Sequence, residues 1–274
     1  PLYADFPEPQ AAEGEVRLTV TAAALSHVTR SRASGSHYSS SGAFPFIPGV
    51  DGVGRLNDGG RVCFVLPRSP YGSLAERTVV AANHCVPVPD GLDDVTAAAI
   101  ANPGVSSWAA LTARAGLKPG ETVLINGATG TAGKLAVGIA RHLGAGRVIA
   151  TGRNANSLAA LGADVTLDLT DDPAVLERQL RQVFSEGVDI VLDYLWGPSA
   201  EALLAAGARA GADTVPIRFV QIGAVSGPDI TLPSAALRAS AIQLMGSGLG
   251  SIPFAVFLRA LGDMLAAAVP GGFR

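Results

Sequence analysis

The stretch "INGATGTAGKLAVGIARHLGAGRVIATGRN", residues 125–154, determines the fold predicted for the second half of the chain. An apolar strand pattern leads into a run of small residues, a helical pattern follows, and a second strand pattern closes the stretch. Small residues let the backbone turn tightly and approach a pyrophosphate, whose charge the free N–H groups at a helix start can bind. The stretch therefore predicts a βαβ unit that binds a dinucleotide. A tight turn that holds no ligand is the alternative.

The small residues match the fingerprint G-x-G-x-x-G incompletely. Gly130 and Gly133 fill the second and third glycine positions, Ala128 stands in the first, and Gly127 directly before it is the candidate replacement. The residues expected to hold the phosphates of the cofactor are Gly127, Thr129, Gly130, Thr131, Ala132 and Gly133.

The end of the second strand indicates which dinucleotide fits. About 20 residues after the glycines, an NAD-binding fold presents an acid to the ribose hydroxyls. Here the sequence reads Gly152, Arg153 and Asn154. Glycine leaves room for a 2′-phosphate, and a guanidinium binds that phosphate through charge-assisted hydrogen bonds. The pattern favours NADP(H) as the cofactor, and a solvated surface charge is the alternative interpretation of Arg153.

Composition limits the classes of protein and partner. The chain has 274 residues, of which 48% are hydrophobic and 16% charged, and this length and composition predict two packed domains. Its formal net charge is −3, which argues against nucleic acid or an anionic membrane as a partner. Residues 252–269 are apolar but contain Arg259 and Asp263, so no membrane span is expected. The isolated Cys63 and Cys85 predict structural thiols in a reducing, cytoplasmic compartment.

The pattern of the chain changes between its halves. Residues 14–88 contain the short β-rich runs "EVRLTVTAAAL", "GRVCFVL", "AERTVVAA" and "CVPVP", which predict a compact barrel-like β domain. Beyond Leu117, strands alternate with helices and predict a doubly wound parallel sheet, its strands being "TVLING", "RVIATG", "DVTLDL", "DIVLDY", "RFVQIG" and "IQLMGS". Within this half we expect Asp172 to cap a helix that starts at Pro173, and a further helix with a packed face over residues 254–268.

With the β-rich half first, the chain resembles the medium-chain dehydrogenase/reductase superfamily over nearly its whole length. The resemblance lies in "FPFIPGVDGVG" (44–54), "GGRV" (59–62), "GSLAE" (72–76), "AAAIANPGVSSWAAL" (97–111), "LKPGETVLINGATGTAG" (117–133) and "LGADVTLD" (161–168). It implies an α/β fold: a GroES-like β-rich barrel domain over residues 1–101 and an NADP-binding Rossmann domain with a doubly wound parallel sheet over residues 102–250. Residues 251–274 are then a C-terminal helix that returns toward the first domain. This C-terminal segment is expected to be incomplete, because relatives continue with further strands and a helix.

Zinc alcohol dehydrogenases of this superfamily hold a catalytic metal with a cysteine, a histidine and a third cysteine or acid. The matching positions here are Ser26, Val50 and Asn102, so no metal site is expected, and His27 alone cannot replace it. Loss of this Lewis acid disfavours alcohol oxidation. The chain thus resembles the zinc-free quinone oxidoreductase branch, which includes zeta-crystallin and several enoyl reductases.

That branch transfers a hydride from NADPH to a small-molecule quinone or α,β-unsaturated carbonyl, which the resemblance implies here. Tyr38 matches a tyrosine beside the nicotinamide and is expected to orient the substrate carbonyl, with a surface-loop tyrosine as the alternative. Ser26 stands near the ring where many relatives carry asparagine. Ser106 matches a threonine near the phosphates and ribose of the cofactor, with helix capping as the alternative. Either a side chain or solvent supplies the proton that the substrate takes up when it is reduced.

Residues after the later strands are expected to line the dinucleotide path, because ligands bind at the carboxyl ends of parallel strands. They are Tyr194, Leu195, Trp196, Gly223, Ala224, Ser247 and Leu249, each of which could instead only cap its strand. In relatives the last strand pairs across a two-fold axis, so "AIQLMGSGL" (241–249) is the expected edge of a homodimer. The alternative function is that of an NADP(H)-binding redox sensor or crystallin-like protein without turnover.

Overall fold

The computed structural model describes residues 2–36 and 44–274, and the chain divides into two compact units. The first unit comprises Pro1–Asn102, Leu261–Gly272 and Arg274, and the second comprises Pro103–Ala260 and Phe273.

An antiparallel sheet forms the first unit. Its strands are β1 (Glu15–Ala22), β2 (Asp51–Arg55), β3 (Arg61–Val65), β4 (Arg77–Ala81) and β5 (Cys85–Pro87), arranged in the order β4-β1-β2-β3-β5. Helix α1 (His27–Ala33) follows β1, and helix α2 (Asp94–Ala109) follows β5. The four predicted β-rich runs are confirmed as strands, and they bury a small core of Leu18, Val62, Phe64 and Val80.

Strand β2 is one that the sequence pattern does not predict, because Gly52 and Gly54 interrupt the alternation of apolar residues. A Cβ atom on Gly52 would lie 2.9 Å from the ring of Phe64, and one on Gly54 would lie 2.7 Å from the carbonyl oxygen of Thr19. The glycines therefore let β2 pair closely with both of its neighbours, a requirement that only the paired strands reveal.

A parallel sheet forms the second unit. Its strands are β6 (Thr122–Asn126), β7 (Arg147–Gly152), β8 (Val165–Asp168), β9 (Ile190–Asp193), β10 (Ile217–Gln221) and β11 (Ile242–Gly246). The order is β11-β10-β9-β6-β7-β8, and every neighbouring pair is parallel. All six predicted strands and the doubly wound arrangement are confirmed. Strands β11 and β8 form the two edges of the sheet.

Helices connect these parallel strands. They are α3 (Thr131–His142), α4 (Ala155–Ala159), α5 (Pro173–Ser185), α6 (Gly197–Ala210) and α7 (Ser234–Arg238), and a π-helical turn (Ala110–Ala115) follows α2. The start predicted for α5 is confirmed, because the Asp172 side chain accepts hydrogen bonds from the N–H groups of Ala174 and Val175. Leu180 and Phe184 of this helix are buried, in a core shared with α6 and the sheet.

Helix α8 (Phe254–Gly271) bears on the expectation that no segment of the chain spans a membrane. Among the described residues it is a helix long and apolar enough to cross a membrane by length and composition, with a mean hydropathy of 1.4. Arg259 and Asp263 are too few to exclude it by that criterion. Leu261, Met264 and Leu265 have no exposed surface, as in a core helix, and a third of the helix is buried. A core helix of a soluble protein passes the same test, so α8 is weak evidence of a membrane span.

Candidate functional site

The small residues predicted to bind phosphate form a turn between β6 and α3. Gly127 has a φ of +88°, a conformation that favours glycine, and its carbonyl oxygen accepts the N–H of Gly130 at 3.2 Å. The first hydrogen bond of α3 runs from the Lys134 N–H to the Gly130 carbonyl at 2.8 Å. Within residues 2–36 and 44–274, the N–H groups of Thr131, Ala132 and Gly133 have no acceptor, which leaves three donors at the positive end of a helix.

Two glycines of this turn are required by packing. A Cβ atom on Gly133 would lie 2.4 Å from the Gly127 carbonyl oxygen and 2.6 Å from the Cα of Ala128, and one on Gly127 would lie 2.9 Å from the side chain of Leu195. At Gly130 the corresponding distance is 3.6 Å, so no protein atom crowds that position. Gly133 thus brings α3 close to β6, while the space beside Gly130 stays open to a ligand.

The end of β7 contacts the same turn. A Cβ atom on Gly152 would lie 2.6 Å from the Cγ2 atom of Thr129. Asn154 caps α4 by accepting the Ser157 N–H at 2.8 Å. Arg153 between them is exposed and takes part in no hydrogen bond or ion pair with another described residue. Its guanidinium is therefore free to bind an anion, and it equally fits a solvated charge.

A buried polar network contacts the glycine turn between β6 and α3. The Asn126 side-chain amide donates to Asp193 Oδ1 at 2.8 Å and to Ser199 Oγ at 2.9 Å, and its oxygen accepts the Thr151 hydroxyl at 2.6 Å. Thr151 Oγ1 in turn accepts the Gly127 N–H at 3.3 Å. Asn126, Thr151 and Asp193 are the last or next-to-last residues of β6, β7 and β9, and none has exposed surface. The network joins the carboxyl ends of three neighbouring strands.

Asp193 also shapes the loop after β9. Its carboxylate accepts the N–H groups of Leu195 at 3.0 Å and of Trp196 at 3.1 Å, and Trp196 has a φ of +59°. Burial raises the pKa of Asp193, and the hydrogen bonds from Trp196, Asn126 and Leu195 oppose that effect. Sequence reasoning missed this network. Its signal is the polar residue that ends each of the apolar runs "TVLIN", "RVIAT" and "IVLD".

The residues predicted after the fourth strand have different environments. Leu195 lies against Gly127 at the glycine turn. The Tyr194 phenol is buried instead, 2.7 Å from the Ser107 hydroxyl, and burial raises its pKa. Its side chain is thus bound to the interior of the second unit, and only its backbone lies at the strand end. Ser106, whose hydroxyl donates to the Pro103 carbonyl at 2.8 Å, bonds within α2.

The remaining predicted positions of this unit follow β10 and β11. Gly223 donates its N–H to the Asp193 carbonyl at 3.1 Å, and a Cβ atom there would lie 2.6 Å from the Tyr194 carbonyl oxygen. Ala224 comes next. The Ser247 N–H bonds to the Gln221 carbonyl at 2.8 Å, and Leu249 is exposed. These residues share the carboxyl edge of the sheet with the glycine turn.

Of the two predicted substrate residues, Ser26 lies in the first unit. Ser26 caps α1, where its Oγ accepts the Thr29 N–H at 3.2 Å and lies 3.1 Å from the Thr29 hydroxyl. His27 beside it is exposed. Tyr38 lies outside the described residues. Burial raises the pKa of the Cys63 thiol and raises that of Cys85 to about 11, so both thiols are protonated near neutral pH.

In the described part of the chain, the side chains that could bind a metal form no metal site. Among residues 2–36 and 44–274 no group of three or more His, Cys, Asp or Glu side chains has the arrangement of such a site. The positions that match zinc ligands of relatives, Ser26, Val50 and Asn102, carry a hydroxyl, an isopropyl group and a carboxamide.

Comparison with known proteins identifies the family. Residues 132–265 match the family model described as zinc-binding dehydrogenase, a range that contains none of the three positions that match zinc ligands. A probable NADPH-dependent quinone reductase of Emericella nidulans is 30% identical over 92% of this chain and 82% of its own length. A 2-haloacrylate reductase of a Burkholderia species is 32% identical over 66% of this chain and 58% of its own length.

Comparison with solved structures finds the same kind of protein. The quinone oxidoreductase of Thermus thermophilus, whose structure was also solved in complex with NADPH, superimposes with a TM-score of 0.80. It is 32% identical and covers 98% of this chain and 84% of its own. The resemblance inferred from the glycine turn and the β-rich half is thereby confirmed, and the chain belongs to the quinone oxidoreductase branch of the medium-chain dehydrogenase/reductase superfamily.

Proposed function

We propose that this chain is an NADPH-dependent reductase that transfers a hydride to a quinone or an α,β-unsaturated carbonyl, without zinc. The observation that carries the proposal is the glycine turn, where three free N–H groups at the start of α3 lie beside a strand end that carries an arginine and no acid. The relatives named as quinone reductase and 2-haloacrylate reductase support the substrate class, because both substrates have an electrophilic carbon conjugated to a carbonyl.

The residues present fit the dinucleotide. The N–H groups of residues 131–133 would hold the pyrophosphate, for which the open space beside Gly130 leaves room. Gly152, where a side chain would collide with Thr129, lets the glycine turn pack against the end of β7, and Arg153 next to it would bind the 2′-phosphate. The other proposed contacts are Thr129, Asn154, Ser106, Tyr194, Leu195, Gly223, Ala224, Ser247 and Leu249.

Bound NADPH supplies the hydride, and the protein binds and orients the reactants. We propose that the Tyr38 hydroxyl orients or polarises the substrate carbonyl and that Ser26 lies near the ring. Donors of this kind stabilise the oxygen that gains charge during hydride transfer. A water molecule is the alternative proton donor.

The donor set supports the proposal of zinc-independent chemistry. A hydroxyl, a valine and a carboxamide at positions 26, 50 and 102 offer no thiolate, imidazole or carboxylate to a catalytic zinc. We further propose a cytoplasmic homodimer that pairs through β11, an edge strand with an exposed Leu244. For the domains we propose a substrate domain over residues 1–101, a cofactor domain over 102–250 and a returning helix over 251–274.

The test is a stopped assay of NADPH oxidation against quinones, enones and enoyl thioesters, with and without a chelator. We expect turnover with at least one of these classes, faster with NADPH than with NADH and unchanged by the chelator. Loss of turnover on chelation that zinc restores would contradict the zinc-free assignment. Tight NADPH binding without turnover on the whole panel would contradict the reductase and support the redox-sensor alternative.

A further inference from the structure

Lys134 is chemically unusual in this protein. The chain contains 20 basic residues, of which 18 are arginines and only Lys118 and Lys134 are lysines. Lys134 lies in the first turn of α3, one residue after Gly133, and its side chain is exposed. It takes part in no ion pair with another residue of the described part of the chain.

An open cavity of about 500 Å³ lies between Lys134 and α4. Its lining consists of Lys134, Asn156, Ser157, Ala160 and Leu161. The lysine is the one charged group of this lining, and no carboxylate of the lining neutralises it. The cavity therefore offers a positive charge, two polar side chains and an apolar surface to a ligand.

The cavity lies at the same edge of the sheet as Arg153. Arg153 lies two residues before the start of α4, the helix whose residues form one side of the cavity, and Gly152 contacts Thr129 of the turn that starts α3. Asp168 of β8 is in register with Gly152 of β7. Its carboxylate accepts the N–H and the hydroxyl of Thr170 at 2.8 and 2.7 Å, so it already has hydrogen-bond partners in its own loop. Lys134 of α3 and Arg153 before α4 thus come from neighbouring elements at this edge of the sheet.

We propose that Lys134 is a specificity-determining residue, which binds the 2′-phosphate of NADPH from this cavity together with Arg153. The inference rests on the proposed function, because it assigns a second cation to the same cofactor. A phosphate monoester carries nearly two negative charges at neutral pH, so a single guanidinium leaves part of its charge uncompensated. A second cation, the Lys134 ammonium, is a compact charge that would compensate the remainder.

The low lysine content allows a direct test on the whole protein. Reductive methylation with ¹³C-formaldehyde keeps the charge of each lysine and gives one NMR signal for Lys118 and one for Lys134. The variants Lys134→Arg and Lys118→Arg assign the signals. We expect 2′,5′-ADP to shift the Lys134 signal, while 5′-ADP shifts it much less and neither ligand shifts Lys118. An unmoved Lys134 signal under saturating 2′,5′-ADP would overturn the inference.

Affinities provide the second readout. Lys134→Gln is expected to weaken NADPH binding about tenfold, which corresponds to about 1.4 kcal/mol, and NADH binding less than about twofold. Lys134→Arg should restore most of the NADPH affinity, and Lys118→Gln is the matched control with no effect on either dinucleotide. Equal weakening of NADPH and NADH by Lys134→Gln would overturn the specificity role. If the unmodified chain binds neither dinucleotide, the proposed function falls with it; if it binds NADPH and Lys134 has no effect, only this inference falls.

Discussion

At the scale of single residues, Arg153 and Asp51 show how a charge takes its role from its surroundings. Arg153 is exposed and has no partner among the described residues, so its charge is available to a ligand. Asp51 in the first unit is 3% exposed, and neither carboxylate oxygen has a hydrogen-bond partner within the described residues. The first arrangement favours ligand binding, and the second lowers stability.

Removing the Arg153 guanidinium should reduce the preference for NADPH. A charge-assisted hydrogen bond contributes about 1.5 to 3 kcal/mol, so Arg153→Ala is expected to weaken NADPH binding by roughly 10- to 100-fold. NADH lacks the 2′-phosphate and should bind almost as before. Fluorescence titration of both dinucleotides measures the effect, with Arg153→Lys as the charge-preserving control. An equal loss for both dinucleotides would refute the assignment of Arg153.

Asp51 should make the stability of the protein depend on pH. Burial raises its pKa to about 7, from 3.8 in the unfolded chain. The unfolded state therefore ionises first, and a penalty on folding begins near pH 4, grows to about pH 7 and stays constant above that, at up to about 4 kcal/mol.

The isosteric variant Asp51→Asn removes this penalty. We expect it to be no more stable than the unmodified chain near pH 4 and more stable at pH 8, by an amount that grows between these values. Urea denaturation at a series of pH values checks the prediction. A stability difference that does not change with pH would show that Asp51 is ionised in neither state or in both.

At the scale of elements, the glycine turn depends on how closely α3 approaches β6. Asn126 and Thr151 position the start of the turn through hydrogen bonds, and Gly133 keeps the helix close to it. Three donors at the start of α3 are useful only while these elements hold their relative positions. The binding of a phosphate and the packing of the helix are therefore coupled.

A methyl group on Gly133 should disturb that coupling. In Gly133→Ala the Cβ atom would meet backbone atoms at 2.4 to 2.6 Å, which cannot rotate away. We expect a loss of about 1 to 3 kcal/mol in the free energy of unfolding and weaker NADPH binding. Thermal denaturation and dinucleotide titration measure the two effects.

Gly138→Ala is the matched control on the same helix. Its Cβ atom would lie 3.6 Å from the Phe273 ring, an ordinary contact, and alanine favours a helix over glycine by about 1 kcal/mol. This variant should be as stable as the unmodified chain or more stable, with unchanged NADPH affinity. If both variants behave alike, helix propensity and not the close approach at Gly133 determines the result.

At the scale of the whole molecule, strand order decides where the glycine turn and the edge strands of the sheet lie. The order β11-β10-β9-β6-β7-β8 places the ends of β9, β6 and β7 side by side, which brings the buried network and the glycine turn together. The same order leaves β11 at an edge of the sheet, with an exposed Leu244. Such an edge pairs readily with another strand.

Charge on that edge should weaken the proposed dimer. Leu244→Lys places like charges across a two-fold axis and is expected to shift the protein from dimer to monomer in sedimentation velocity. Thr166→Lys, an exposed position on the opposite edge strand β8, is the control and should leave the oligomeric state unchanged. A monomeric unmodified chain, or a dimer that both variants preserve, would contradict pairing through β11.

The sequence by itself determined the features that depend on short-range pattern. Strand periodicity predicted ten of the strands, small residues predicted the turn, and Asp172 with Pro173 predicted a helix start, because propensity, capping and steric freedom act between near neighbours in the chain. The glycine turn and the arginine at position 153 both lie within one short stretch, so the sequence alone indicates them. They supply the cofactor class.

Tertiary structure alone decided what depends on distant residues. Asn126, Thr151 and Asp193 are separated by 25 and 42 positions, yet each needs the others because a buried polar group must find a hydrogen-bond partner. Strand β2 pairs closely with its neighbours only because they leave no room for side chains at its glycines. The Tyr194 phenol lies in the protein interior and not at the strand end. The cavity beside Lys134 exists only once α4 packs near α3. Burial and contact between distant segments are properties of the packed chain, which local pattern does not encode.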